Sequence, residues 1–252
     1  MSSLSPIQRA SLVFPDPSEA LRPQAFIEST HPEIQALAAS LHRDGQSERE
    51  LAVKAFEYVR DTVRYEFLAK FQPDQYRASC ILEQGRGFCV QKAVLLTALL
   101  RACGLPSAIV LSELRDHTMP ARISRAMGTD VMHGHGLTAV SLDGIWHLID
   151  ASHDAAFAQR KGYATVEWDG LGDALIAPTT LDGRPHAEFV NVQGVFLDLA
   201  YDSLLRSFAV AYGQADVGAL ADAGIPVTEM VAGLEAARPV PALTGPSDHE
   251  AS

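Results

Sequence analysis

A chain of 252 residues, 47% hydrophobic and 20% charged, can bury one substantial core, which excludes wholesale disorder and favours one compact domain with extensions over two equal halves. The formal net charge of -11 repels phosphate backbones and anionic headgroups, so neither a nucleic-acid nor a membrane partner is expected. Met1 to Ala10 shows no charged-then-apolar leader pattern and no stretch reaches the length of a membrane span, so the expected location is cytoplasmic.

Along the chain, residues 1–31 contain Pro6, Pro15, Pro17 and Pro23 and read as an extended arm laid over the body. Ile34, Leu37, Ala38 and Leu41 recur at helical spacing within Pro32–Arg43. A second amphipathic helix over Ser47–Val63 opens on Ser47 followed three residues later by Glu50, a capping pattern, ahead of Leu51, Ala55, Tyr58 and Val59. Phe88–Cys103 is apolar on nearly all sides, which predicts a buried helix. Gly85 and Gly87 loosen its approach, and Gly104 with Pro106 stops it. Ser107–Leu111 reads as a strand, and the polar stretch Ser112–Met132 as a solvated connecting loop.

His135–Leu142 and Ile145–Asp150 are short apolar runs separated by Asp143-Gly144, a strong hairpin signal. Asp169-Gly170 and Asp182-Gly183 punctuate further short segments, and Leu197–Tyr212 returns to helical spacing. The fold class is therefore α+β. The tail 238–252 is Pro-rich and polar and is expected to be disordered, leaving residues 32–237 as the folded domain.

Three cysteines, Cys80, Cys89 and Cys103, are too few and too irregularly spaced for a disulfide framework. Cys89 stands at a predicted helix start, where unpaired amides and the helix dipole stabilise a thiolate. A backbone amide there could also serve an oxyanion hole. Cys103, fourteen residues later on the same helix, lies about 20 Å away and is assigned to packing, as is Cys80. A two-residue turn at Asp143-Gly144 sets Leu142 against Ile145, Val140 against His147 and Leu137 against Asp150. His135 and Asp150 then share a face within hydrogen-bonding reach, as an imidazole and its orienting acid must, while His147 points the other way. A bulge or a three-residue loop would invert this parity. His133 shares the parity of His135 but lies farther from Asp150. His117, His153 and His186 are expected at the surface or in polar structural roles, Asp154 at a helix start or in a loop.

These residues carry a pattern. GRGFCVQKAVLLTALLRACGLPSAIV (85–110) resembles the cysteine-helix motif of transglutaminase-like proteins, and HGLTAVSLDGIWHLIDAS (135–152) resembles that family's histidine strand, turn, tryptophan strand and closing acid. The lead-in from Pro32, ending FEYVRDTVRYEF, is similar as well, and the order Cys89, His135, Asp150 is the family's order. The resemblance implies a papain-like core, with the cysteine at the N-terminus of a buried helix packed on an antiparallel sheet that carries the histidine and the acid. One departure is Gly136-Leu137 where the family usually has an aromatic residue after the histidine. No calcium-loop pattern is present, and no cofactor or metal is expected.

The expected chemistry is thiol-dependent acyl transfer through a Cys89 acyl-enzyme on a small-molecule, peptide or protein amide or thioester. Hydrolysis is placed ahead of amide formation because water needs no second binding site. Two readings from other classes stand beside it. One is a zinc module using Cys80, Cys89, His133 and His135, which lacks paired Cys-x-x-Cys spacing; the other is a catalytically inactive interaction domain.

Overall fold

The computed structural model describes residues 4–66 and 72–222; the expected C-terminal tail lies outside them. After the short helix α1 (Pro6–Ala10), helix α2 (Pro32–Leu41) begins with Pro32 in its first turn, where a missing N–H costs no helical bond, and buries Ile34 and Ala38. Helix α3 (Glu48–Thr62) starts with the reciprocal pair read from the sequence: Glu50 N–H donates to the Ser47 hydroxyl at 3.3 Å, and the Glu50 carboxylate accepts from Ser47 N–H at 2.9 Å. Strand β1 (Arg64–Tyr65) follows, then α4 (Ala78–Gln84), β2 (Arg86–Gly87) and α5 (Cys89–Ala102). β1 and β2 run parallel, with Arg64 opposite Arg86 and Tyr65 opposite Gly87. The glycine approach to Cys89 is thus held by backbone pairing, a correction to its reading as a loose segment.

Every residue of α5 from Cys89 to Arg101 is buried. Its polar side chains reach backbone groups of neighbouring segments, as buried polar groups must. Lys92 Nζ donates to the carbonyls of Arg60 (2.9 Å) and Val63 (2.6 Å) at the end of α3. Arg101 donates to the carbonyls of Ser107, Arg22 and Leu197, tying the far end of the helix to three separate segments.

The sheet is built from β3 (Ser107–Asp116), β4 (Val131–Leu142), β5 (Ile145–Ile149) and β6 (Ala187–Phe196), all antiparallel in the order β5-β4-β3-β6. The short helix α6 (Ala121–Met127) lies between β3 and β4, α7 (Ala155–Lys161) follows β5, and α8 (Tyr201–Tyr212) and α9 (Val217–Asp222) close the described chain. Asp143 and Gly144 both take positive φ, 52° and 78°, as the tight hairpin turn requires. The register is the one read from the sequence: Leu142 faces Ile145, Val140 faces His147 and Thr138 faces Ile149.

Residues 112–132 depart from their reading as a solvated loop. β3 continues to Asp116, β4 starts at Val131, and α6 packs Ile123 and Ala126 against Leu220 of α9. The polar residues here belong to cross-strand pairs: Arg115 meets Glu188 of β6 at 3.0 Å and Asp130 at 3.4 Å. A strand that finds its partner more than 70 residues downstream gives no local signal. The N-terminal arm lies on the outside of the hairpin, where Phe14 stacks on Trp146 with ring centroids 5.2 Å apart.

α5 packs across β4, with the Thr97 and Thr138 hydroxyls 3.3 Å apart. At Gly136 the approach is tightest, because a Cβ there would lie 2.6 Å from Val90 Cα and 3.0 Å from Val90 N. Gly136→Ala is therefore expected to lower stability by about 1–3 kcal/mol through overpacking. Thermal unfolding of the two proteins measures this, and an unchanged Tm would mean that strand and helix separate at no cost.

Candidate active site

Cys89 is the first residue of α5, so its backbone N–H has no acceptor within the helix. Phe88, extended at ψ 179°, brings the chain in. Gln91 fixes the entry: its carbonyl oxygen accepts Phe88 N–H at 3.2 Å and its amide donates to the Gln75 carbonyl at 2.6 Å. The thiol is almost covered, Cys89 being 6% exposed.

β4 and the end of β5 bring the other two residues together. His135 Nε2 and Asp150 Oδ2 are 2.8 Å apart, both side chains buried, and the second carboxylate oxygen accepts Ser152 N–H at 2.9 Å. With Nε2 engaged, Nδ1 is the second, buried ring nitrogen and has no hydrogen-bond partner. Burial by itself would push the imidazole's pKa down. The charge of Asp150 and then that of Cys89, with the Asp150 hydrogen bond, outweigh it and push the value up to about 10. Asp150 also loses solvation, yet His135 and Ser152 hold its pKa below the usual carboxylate value.

The remaining candidates separate from this group. His147 pairs with Val140 on the opposite parity, as read. His133 lies within β4 and bonds Glu113 at 3.2 Å, and His117 meets Glu188 at 3.2 Å near the surface. His153 and His186, expected at the surface or in polar roles, are instead buried among aromatic rings. Asp154 caps α7 by accepting Phe157 N–H at 2.7 Å, and also accepts Tyr65 N–H at 2.7 Å. Asp143 stays in the exposed turn, 3.6 Å from Arg49. Cys80 lies on α4 with Gln84 at 3.0 Å, and Cys103 caps the far end of α5. Among the described residues no group of three or more His, Cys, Asp or Glu side chains could hold a metal ion, so the zinc set Cys80, Cys89, His133 and His135 does not assemble.

Sequence reasoning passed over Gln91, Tyr65 and Lys92. Two polar residues side by side, Gln91-Lys92, within an otherwise apolar helix were a usable signal for the first and third. Tyr65 has none, because only the β1–β2 pairing brings it beside Gly87.

A mixed fold in which a buried helix packs on an antiparallel sheet is consistent with a transglutaminase-like core. Residues 35–151 match the model of the transglutaminase-like superfamily. That match supports a thiol-dependent enzyme. No curated protein matches the chain. Among solved structures, the chain is similar to one from Cytophaga hutchinsonii described as a "putative cysteine protease", at 17% identity, covering 75% of this chain and 60% of that one, with a TM-score of 0.42. It is also similar to one from Parabacteroides distasonis described as a "putative protease", at 15% identity, covering 68% of this chain and 31% of that one, with a TM-score of 0.35. Among the described residues no helix is long and apolar enough to cross a membrane.

The three cysteines differ in environment, since burial pushes the Cys103 thiol up to about 11 and raises that of Cys80 as well. Neither has an imidazole beside it. At neutral pH iodoacetamide is expected to modify Cys89 at least ~10-fold faster than either of the others, as read by peptide mass spectrometry. Equal rates at all three in the folded protein would remove Cys89 as the nucleophile.

Proposed function

We propose that the chain is a cysteine enzyme that transfers acyl groups through a Cys89 acyl-enzyme, with hydrolysis of a peptide or amide bond as its leading reaction. The observation that carries this reading is the buried His135–Asp150 hydrogen bond, which leaves His135 Nδ1 for the thiol at the start of α5. Below about pH 10 His135 is already the imidazolium, holding at Nδ1 the proton given up by the thiol, so the Cys89 sulfur attacks the substrate carbonyl carbon as the thiolate. Negative charge gathers on the carbonyl oxygen, where the unpaired amide of Cys89 is placed to receive it. As the carbon–nitrogen bond breaks, His135 returns the proton to the leaving amine. Water, deprotonated by the same nitrogen, then attacks the thioester and releases the acid. An amine in place of that water gives the amide-forming alternative with the same residues.

The experiment is mass spectrometry of the intact protein incubated with candidate amides, esters and thioesters. An acyl adduct confined to the Cys89 peptide is expected, and its mass names the donor. Product analysis with and without added amine separates hydrolysis from transfer. Cys89→Ala should form no adduct and turn over nothing while keeping the parental Tm. Turnover that survives this substitution would end the proposal.

Asp150 sets the pH behaviour. The imidazolium gains stabilisation only in the folded state, and this is fully present below pH 6.5 and lost as pH rises through about 10. The acylation rate is therefore expected to fall on an alkaline limb near pH 10, since the leaving amine then loses its proton donor. Asp150→Asn removes the largest upward influence on His135, so the limb should move to lower pH and the rate at neutral pH should drop roughly 10-fold to 10⁴-fold. An unmoved limb in the variant would show that Asp150 is not the orienting acid.

A further inference from the structure

A cavity of about 230 Å³ has Tyr65 and His153 in its lining. One wall is a cluster of rings: Tyr65 meets Phe157 at 4.7 Å, His153 stacks on Tyr163 at 5.7 Å, and Tyr163 stacks on His186 at 3.7 Å between centroids. Apolar side chains, among them Ile123 and Met132, complete the lining. Tyr65 joins the cavity to the site, since its backbone pairs with Gly87, two residues before Cys89. His153, which follows the Asp150 segment in sequence, meets the Tyr65 ring edge-on at 4.8 Å in the same lining.

The rings of this wall are uncharged near neutral pH. Burial pushes His153 down to about 3, lowers His186, and raises both tyrosines. The carboxylate in the lining, Asp116, is occupied: one of its oxygens accepts the Thr118 N–H at 2.8 Å and the Thr118 hydroxyl at 2.6 Å. Arg122 and Lys161 are exposed at the mouth, where they disfavour an entering ammonium group. A carboxylate on the substrate would meet Asp116 and no cation deeper in. What remains favoured is an uncharged group that stacks on rings and fills apolar volume. A cavity of about 150 Å³ already holds benzene, so this one has room for a substituted ring.

Resting on the proposed role of Cys89, we infer that this cavity seats an uncharged aromatic group of the substrate, so that the acyl donor is an amide, ester or thioester bearing a ring close to the scissile bond. Tyr65, Phe157 and Tyr163 act as specificity residues, holding the ring while the carbonyl lies at Cys89.

The test compares two alkylating probes on the full chain, N-benzyl chloroacetamide and N-(4-aminobutyl) chloroacetamide. In each, the Cys89 sulfur displaces chloride, a carbon–sulfur bond replaces the carbon–chlorine bond, and the thiol proton passes to His135. After correction for their rates with free cysteine, the benzyl probe should modify Cys89 about 10-fold or more faster, the factor expected for burying one ring. The same ratio measured in Met119→Trp, where a larger side chain fills the cavity, should fall close to one. A ratio near one in the parent, or one that survives Met119→Trp, overturns the inference. If instead Cys89 reacts with iodoacetamide no faster than Cys103, the nucleophile assignment fails, and methionine methyl NMR decides the cavity separately. N-benzylacetamide should then move the Met119 and Met132 signals saturably where N-(4-aminobutyl)acetamide does not, and signals unmoved by either compound overturn the inference.

Discussion

The backbone of β4 approaches the first turn of α5 at Gly136 so closely that a single methyl group would sit 2.6 Å from Val90 Cα. This contact brings two kinds of polarity to one place: the unpaired amides of a helix start and a ring nitrogen on the neighbouring residue, His135. The departure from the family pattern after the histidine thus has a steric reason in this chain. If strand and helix stood farther apart, Cys89 would still begin a helix and His135 would still bond Asp150, but the two would not be held by one close contact.

The rest of the core keeps that contact fixed. α5 is buried all round, so it cannot rotate to present Cys89 differently without exposing apolar surface. Its polar side chains act as struts, with Gln91 holding the entry, Lys92 the end of α3, and Arg101 three carbonyls at the far end. Two buried bases show how the environment divides. Lys92 has neutral carbonyls as its bonding partners, so burial prevails and pushes it down to about 7. His135 has a carboxylate at 2.8 Å, so the charge prevails and pushes it up to about 10. A fixed ion partner at hydrogen-bonding distance decides the sign.

Much of the site was legible in local sequence because the rules behind it are local. The Ser47–Glu50 cap, the largely apolar helix from Cys89 and the Asp143-Gly144 turn each depend on residues within one or two turns of chain. The hairpin then carried the argument further, since two strands joined by a two-residue loop have one register, and that register places His135 near Asp150. Where the reading failed, distant partners were responsible. β3 extends beyond Leu111 because β6 pairs with it, and 112–132 contains a helix because α9 covers it. His153 and His186 are buried because α7 and the segment before β6 meet over them.

The sequence by itself determined the α+β class, the helix that begins at Cys89, and the hairpin register that brings His135 to Asp150. Periodicity, caps and turn chemistry are short-range, and one chain displays them directly. Only the tertiary structure decided the Gly136 contact, the parallel pairing that sets Tyr65 beside Gly87, and the ring-lined cavity that Tyr65 enters. Each of these depends on which surfaces meet across tens of residues, and that is settled by the burial of apolar area and the satisfaction of buried polar groups over the whole core.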